Sequence, residues 1–366
     1  MRHGLATLSA LALIAAIAPA SAGAMSIRVE DGVLRYVADR GERNDSGIRQ
    51  APNGDLEVYE NSTIPRDIGA GCHAGGEFGI VCSGQGVTAV NVEHRDGDDR
   101  ICIVPTISVP VRYSGGTGRD TAIYCGQSVP PVHLDNDGVA DDGPAGIDDV
   151  EADVEVLGGG ESADTLGSGS RGASIGPGDG DDVVAGGSGP DRISAAYVED
   201  VGTEAGSFYT RGRDTIGCGG GQDFVLADLT DTIASDCEAV GRPVRGGGSL
   251  FKGSNGDDYM GAPYGWEPAR MIAKAGDDRV QPPPFGPNRI ELGSGDDRVR
   301  ETGGATNRVY AGPGNDFVDV REVFEATRYL DRVECGTGRD RVLADPRDKV
   351  ASDCESVVRR ARPPAR

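Results

Sequence analysis

The sequence predicts an all-β chain built by stacking short glycine-rich coils, and three observations carry that prediction. Of 366 residues, 58 are Gly and 21 are Pro, aromatics make up 5 %, and Asp outnumbers Glu about two to one. Gly, Pro and Asp are poor helix formers, so a helical bundle is excluded. From Gly159 to Ser194 the chain divides without a gap into four nonamers, GGESADTLG, SGSRGASIG, PGDGDDVVA and GGSGPDRIS. Their eighth residue is aliphatic each time: Leu166, Ile175, Val184 and Ile193. A longer block is duplicated, CGGGQDFVLADLTDTIASDCEAV from Cys218 and CGTGRDRVLADPRDKVASDCESV from Cys335, as in repeat architectures.

The elements follow in chain order. Residues 1–24 read as a secretory signal peptide: Arg2 and His3, an apolar run from Leu5 to Ile17, then the small residues Ala20-Ser21-Ala22. That run is too short to span a membrane comfortably, and no other long apolar run exists, so a secreted, extracellular protein is expected. Residues 25–133 form an N-terminal β region, with alternating stretches such as GVLRYVA and TAVNVEH, and are a candidate cap for the solenoid. A first roll covers 134–240, a linker containing RPVRGGGSL covers 241–250, and a second roll covers 251–358. Residues 359–366, with four Arg and two Pro, are expected as a basic disordered tail.

Each nonamer has a physical reading. Glycines at positions one, two and four let the backbone turn tightly, and Asp at position six suits a turn while offering a carboxylate. The next three residues form a short strand that sends one aliphatic side chain inward, so two nonamers make a coil of about 18 residues with a strand on each side. Stacked coils bring equivalent Asp residues to about 4.8 Å, where unit charges repel by roughly 3 kcal/mol at an effective dielectric of 20. Such a column requires a cation. The net charge of −23 points the same way and argues against nucleic acid and anionic membranes as partners. Carboxylates with turn carbonyls form a hard oxygen donor set, which suits Ca²⁺ rather than a transition metal.

These nonamers resemble the RTX family, the hemolysin-type calcium-binding repeats with consensus GGxGxDxUx; GGSGPDRIS from Gly186 matches every defined position. The resemblance covers about residues 160 to 355 well and 94 to 123 thinly. It implies a parallel β-roll, a right-handed β-solenoid with Ca²⁺ held between successive turns. The implied carboxylate ligands are Asp182, Asp191, Asp223, Asp258, Asp278, Asp297, Asp316 and Asp340, with Asp99, Asp120, Asp164 and Asp214 in less complete units. The implied turn glycines are Gly178, Gly180, Gly187, Gly189, Gly219, Gly221, Gly256, Gly276, Gly293, Gly295, Gly312, Gly314, Gly336 and Gly338.

In the second roll, weaker turns bearing Asn288, Asn307 and Asp331 alternate with the Asp units. The expectation is one calcium-competent edge and one edge closed by an Asn ladder, with a bulged loop around Val320 to Ala326 before Asp340. The alternative is that the Asn turns are decayed calcium sites. DNDGVADDG from Asp135 resembles an acidic calcium loop without the spacing of an EF-hand, and a solvated insertion is its alternative. GxSxG at Gly172 and GxGxxG at Gly167 fall inside the nonamer register, away from the strand-turn-helix context their chemistry needs.

The eight cysteines fit an oxidising compartment, and with no CxxC and four scattered His a zinc site is disfavoured. Cys218/Cys237 and Cys335/Cys354 occupy nearly equivalent places in adjacent coils, so each couple is expected to pair with Cα atoms about 5 Å apart. The pairing of Cys72, Cys82, Cys102 and Cys125 stays open. The expected function is calcium binding by an exported, nonenzymatic protein, with cell-surface or matrix polysaccharide as a candidate partner. The alternatives are a secreted hydrolase, which needs a nucleophile with a base near His73, His94 or His133, and a calcium-dependent glycan-binding protein.

Overall fold

The computed structural model describes residues 25–61, 67–76, 79–126, 129–199, 207–209, 212–244, 247–263, 265–301, 303–322 and 329–359. The expected signal peptide, the tail beyond residue 359 and the bulged loop from residue 323 lie outside the described residues. Those described form strands, turns and irregular segments without a helix. The strands assemble into long parallel sheets, consistent with a β-solenoid.

One long sheet runs the length of the molecule. Its parallel part passes from Asp45–Gln50 through Arg100–Ile103, Thr121–Tyr124, Val156–Gly158, Ser174–Gly176, Arg192–Ser194 and Phe224–Leu226 to Ala239–Pro243. The pairs form an open ladder, ending at Cys72–Gly75 on one side and Lys349–Val350 on the other. Shorter parallel sheets cover it. One contains Val33–Val37, Ala89–Glu93, Val111–Ser114 and Asp149–Val150, and the next runs from His133–Leu134 through Thr165–Gly167, Val183–Ala185 and Thr215–Gly217 to Thr232–Ile233.

The register stacks like on like. Leu157, Ile175, Ile193 and Val225 are successive partners on one side, and Leu166, Val184 and Ile216 on the other, all at most 2 % exposed. The aliphatic eighth positions are therefore the core. Each side chain of this narrow stack removes its apolar area from water, worth about 1.5–3 kcal/mol.

At the N-terminal end the long sheet and the sheet containing Val33–Val37 both turn antiparallel. Ser26–Glu30 pairs with Val33–Val37, and Asp45–Gln50, Leu56–Glu60, Gly79–Cys82 and Cys72–Gly75 form a meander. Four disulfides join Cys72 to Cys82, Cys102 to Cys125, Cys218 to Cys237 and Cys335 to Cys354. The last two have Cα separations of 5.1 and 5.2 Å, as adjacent coils dictate. Four such bonds are consistent with an extracellular protein. Among the described residues no helix is long and apolar enough to cross a membrane.

The segment expected as a linker is instead built into the sheet: Ala239–Pro243 pairs antiparallel with Ser249–Lys252. Strand direction reverses there, and the core changes face. Val225 packs in the first core, while its neighbours Phe224 and Leu226 pack in the second, with Ala239, Phe251, Met260 and Trp266. The Phe224 and Phe251 rings stack at 6.4 Å, and Phe251 meets Trp266 at 5.6 Å. A half-turn about the stacking axis relates a sheet with reversed strands and its core behind to one with forward strands and its core in front. That half-turn relates the parallel stack before the reversal to a second stack after it. The second continues through Ala269–Ala275, Pro287–Ser294, Thr306–Pro313 and Arg332–Thr337. It is faced by Tyr259–Gly261, Arg279–Gln281, Arg298–Arg300, Phe317–Asp319, Arg341–Ala344 and Ser356–Arg359.

Candidate metal centre

In the second roll the sixth-position carboxylates form a column. The turn ends one residue before the strand, which points the Asp side chain into the end of the coil and buries it. The N–H of Asp258 donates to Asp278 Oδ1 at 2.8 Å, Asp278 to Asp297 at 2.8 Å, Asp297 to Asp316 at 2.9 Å and Asp316 to Asp340 at 2.9 Å. Glu355, one residue before the closing strand Ser356–Arg359, accepts the N–H of Asp340 at 2.8 Å. These bonds use one oxygen of each carboxylate. The second oxygens of Asp278, Asp297, Asp316 and Asp340 are buried with no hydrogen-bond partner among the described residues.

Glycine is imposed on these turns twice over. Gly295 and Gly314 have φ of 134° and 148°, and a Cβ on each would lie 2.0 Å from Gly276 O and 1.8 Å from Gly295 O. The carbonyl of each turn thus packs against the glycine of the next. In two units position two takes positive φ even without glycine: Arg95 sits at 71° and Lys274 at 90°. The stack, rather than the residue, sets that conformation.

The first roll and the N-terminal region repeat the arrangement. Asp164 N–H donates to Asp182 Oδ1, Asp182 to Asp214 and Asp214 to Asp231, at 2.8, 3.0 and 3.1 Å. On the opposite edge Asp191 donates to Asp223 and Asp223 to Glu238, while Asp99 donates to Asp120 and Asp120 to Glu155. Glu238, Glu155 and Glu355 share one role, a longer side chain reaching back to close a column. Bare second oxygens recur on Asp182, Asp223, Asp99 and Asp120. Asp164, Asp191 and Asp258 differ, because local donors already hold their Oδ2: Gly160 N–H, Ser168 Oγ with Gly187 N–H, and Ser254 N–H. The less complete units at Asp99 and Asp120 thus share the bare second oxygen of Asp182, Asp223 and the second-roll column.

Burial dominates the electrostatics. It pushes Asp182, Asp278, Asp297 and Asp99 up to about 7, and Asp214, Asp223, Asp316 and Asp120 up to about 6, against the pull of the backbone N–H each accepts. Neighbouring carboxylates push the same way. The fifth-position residues form an exposed ladder of opposite direction, in which Asp277 N–H donates to Asp257, Asp296 to Asp277 and Asn315 to Asp296. Asp296, in water and hydrogen-bonded by Asn315, is held below its ordinary value.

On the other edge of the second roll, the expected amide pair forms: Asn288 Nδ2 donates to Asn307 Oδ1 at 3.0 Å, and Asn288 Oδ1 accepts the N–H of Ala269 at 3.0 Å. This uncharged edge is short. Asn307 N–H donates to Asp331 at 2.6 Å and Asp331 N–H to Asp348 at 3.1 Å, so carboxylates replace amides within two coils. There Glu322, Asp331 and Asp348 come together, each with an oxygen within 4.8 Å of the others'. Glu322 and Asp348 carry no nonamer signal, and only the juxtaposition of coils groups them with Asp331.

The acidic loop after His133 gathers His133, Asp135, Asp141 and Asp142 in the same way, with Asp142 pushed up to about 8 by burial. His94 is buried, its Nε2 3.0 Å from Ser46 Oγ and its Nδ1 3.2 Å from Tyr113 OH, and burial lowers it to about 3. Ser46 and His94 are 1 % and 0 % exposed, so this pair is sealed from any substrate. Ser174 of the GxSxG match lies in the strand Ser174–Gly176 of the long parallel sheet. No protein-family model matches the chain, and no curated protein does either.

Proposed function

We propose that this chain is an exported calcium-binding β-roll of the RTX kind, in which Ca²⁺ bound between stacked turns is coupled to folding. One observation carries the reading: a buried carboxylate oxygen with no partner among the described residues recurs coil after coil, next to turns whose glycines pack against the carbonyls of the preceding turn. An unsatisfied buried polar atom costs about 1–3 kcal/mol, more when charged, and a column of them is stable only with compensation. The donor set is oxygen alone, which suits the six to eight oxygen ligands of calcium. Asp278, Asp297, Asp316 and Asp340 with their turn glycines would hold it in the second roll, and Asp182, Asp223, Asp99 and Asp120 elsewhere. The four disulfides support export. The sealed Ser46–His94 pair lends nothing to a hydrolase.

At tenfold over a dissociation constant of about 0.1–1 mM, each site adds RT ln 11, about 1.4 kcal/mol, and four sites about 5–6 kcal/mol. Calorimetric titration of the full chain with CaCl₂, paired with melting in chelator and in millimolar calcium, tests this. Uptake of several ions with a raised melting temperature is expected. No heat of binding and equal melting temperatures in both conditions would sink the proposal. Surface attachment, adhesion and matrix structure are the roles open to such a protein, and calcium-dependent retention on polysaccharide would select among them.

A further inference from the structure

We propose that Glu322, Asp331 and Asp348 form a second kind of cation site, a discrete all-carboxylate pocket for one calcium-sized divalent ion at the C-terminal end of the edge opposite the Asp column. Their closest oxygens lie within 4.8 Å of one another, twice the typical calcium–oxygen distance of about 2.4 Å. The independent observation is Glu322 itself. It is 1 % exposed, and neither of its carboxylate oxygens accepts a hydrogen bond from a donor among the described residues; the side chain it meets is another carboxyl, Asp345. Asp331, fully buried, adds a further bare oxygen, its Oδ2. Asp348 is fixed by accepting Asp331 N–H at 3.1 Å and Asp345 N–H at 2.6 Å, which leaves each oxygen a free lone pair.

Among the described residues, the neighbouring groups do not neutralise this charge. Glu301 and Asp345, buried to 0 % and 1 %, flank the group and add to its repulsion. Of the nearby guanidiniums, Arg321 forks onto Asp319 at 2.8 Å, and Arg359 donates to the main-chain oxygens of Asp345 and Asp348. The duplication supplies an internal control. In the first roll Asp214, Asp228, Asp231 and Arg242 repeat the same backbone contacts. The position matching Glu322, three residues past the strand, is Tyr197 there, a residue type without a carboxylate. The frame belongs to the duplicated fold, and Glu322 converts one copy into a site.

The pocket stands apart from the turn columns and is tested apart from them. The full chain, its Glu322→Gln variant and its Asp297→Asn variant would be dialysed against CaCl₂ with and without excess MgCl₂, and bound calcium counted by atomic emission. Glu322→Gln keeps shape and removes charge, so it should melt no lower than wild type in chelator and bind one calcium fewer per chain. Asp297→Asn should leave that ion in place. Loss of the ion in Glu322→Gln sustains the pocket even if the turns bind nothing. Should Glu322→Gln fail to fold, Asp331→Asn decides by the same count. Calcium content equal to wild type in the folded variant would overturn the site and leave Glu322 as a protonated, purely structural acid.

Discussion

Replacing Asp297 by Asn separates the cost of the column from its use. The side-chain oxygen that accepts Asp278 N–H at 2.8 Å is kept, and the bare second oxygen becomes an NH₂ group. Burial pushes this carboxyl from 3.8 up to about 7, so at pH 8 without calcium its ionisation costs the fold about 4 kcal/mol. Burying the new NH₂ in the same place returns at most about 1–3 kcal/mol of that gain. The variant should therefore be more stable than wild type in chelator at pH 8 by about 1–3 kcal/mol, a few degrees in melting temperature. Calcium must erode this advantage, because a lost site forfeits about 1.4 kcal/mol at tenfold over Kd and about 2.7 kcal/mol at a hundredfold. Differential scanning calorimetry at pH 8 in chelator and over a calcium series reads both quantities. A melting shift of the same size at every calcium concentration would refute the reasoning, since Asp297 would then contribute nothing to binding.

Four further outcomes follow from the same geometry. Because the column carboxyls titrate near 6–7 when folded, against an ordinary 3.8, their protonated form favours the fold. Metal-free stability should be full below about pH 4 and fall as pH rises through 7, whereas calcium affinity should rise over pH 5–8; a chelated protein that melts higher at pH 8 than at pH 5 contradicts this. Lys274→Gly should gain up to about 1 kcal/mol by relieving a φ of 90°, while Lys274→Ala, equally strained, should gain nothing in a denaturant melt. Asn288→Ala should cost about 1 kcal/mol per lost amide bond, by the same amount with and without calcium; a calcium-dependent loss would make that edge a metal edge. Phe224→Ala should cost about 3–5 kcal/mol, and Arg341→Ala, its exposed counterpart in the duplicate, under about 0.5 kcal/mol; equal costs would refute the change of core face at Phe224.

The sequence by itself determined the period, the strand class and the inward residues. A nine-residue repeat fixes turn, carboxylate and core positions locally, and stacking in register then places Val184 over Leu166 and Asp297 beside Asp278 with little choice left. The local disulfides at Cys218 and Cys335 followed from the same periodicity. Tertiary structure decided whatever depends on neighbours many residues away. The strands at Val33 and Ala89 join one ladder across an intervening meander that has no repeat to announce it. Phe224 stands where the duplicate has Arg341, and that single difference marks the strand buried on both faces, but only the reversal at Ala239–Pro243 gives the second face something to cover it. Which Asp oxygens stay bare turned on whether a Ser or a turn N–H lies within reach, as at Ser168 and Ser254. The carboxylates of Glu322, Asp331 and Asp348 converge because successive coils are stacked a strand spacing apart, a proximity set by the solenoid and absent from the spacing along the chain.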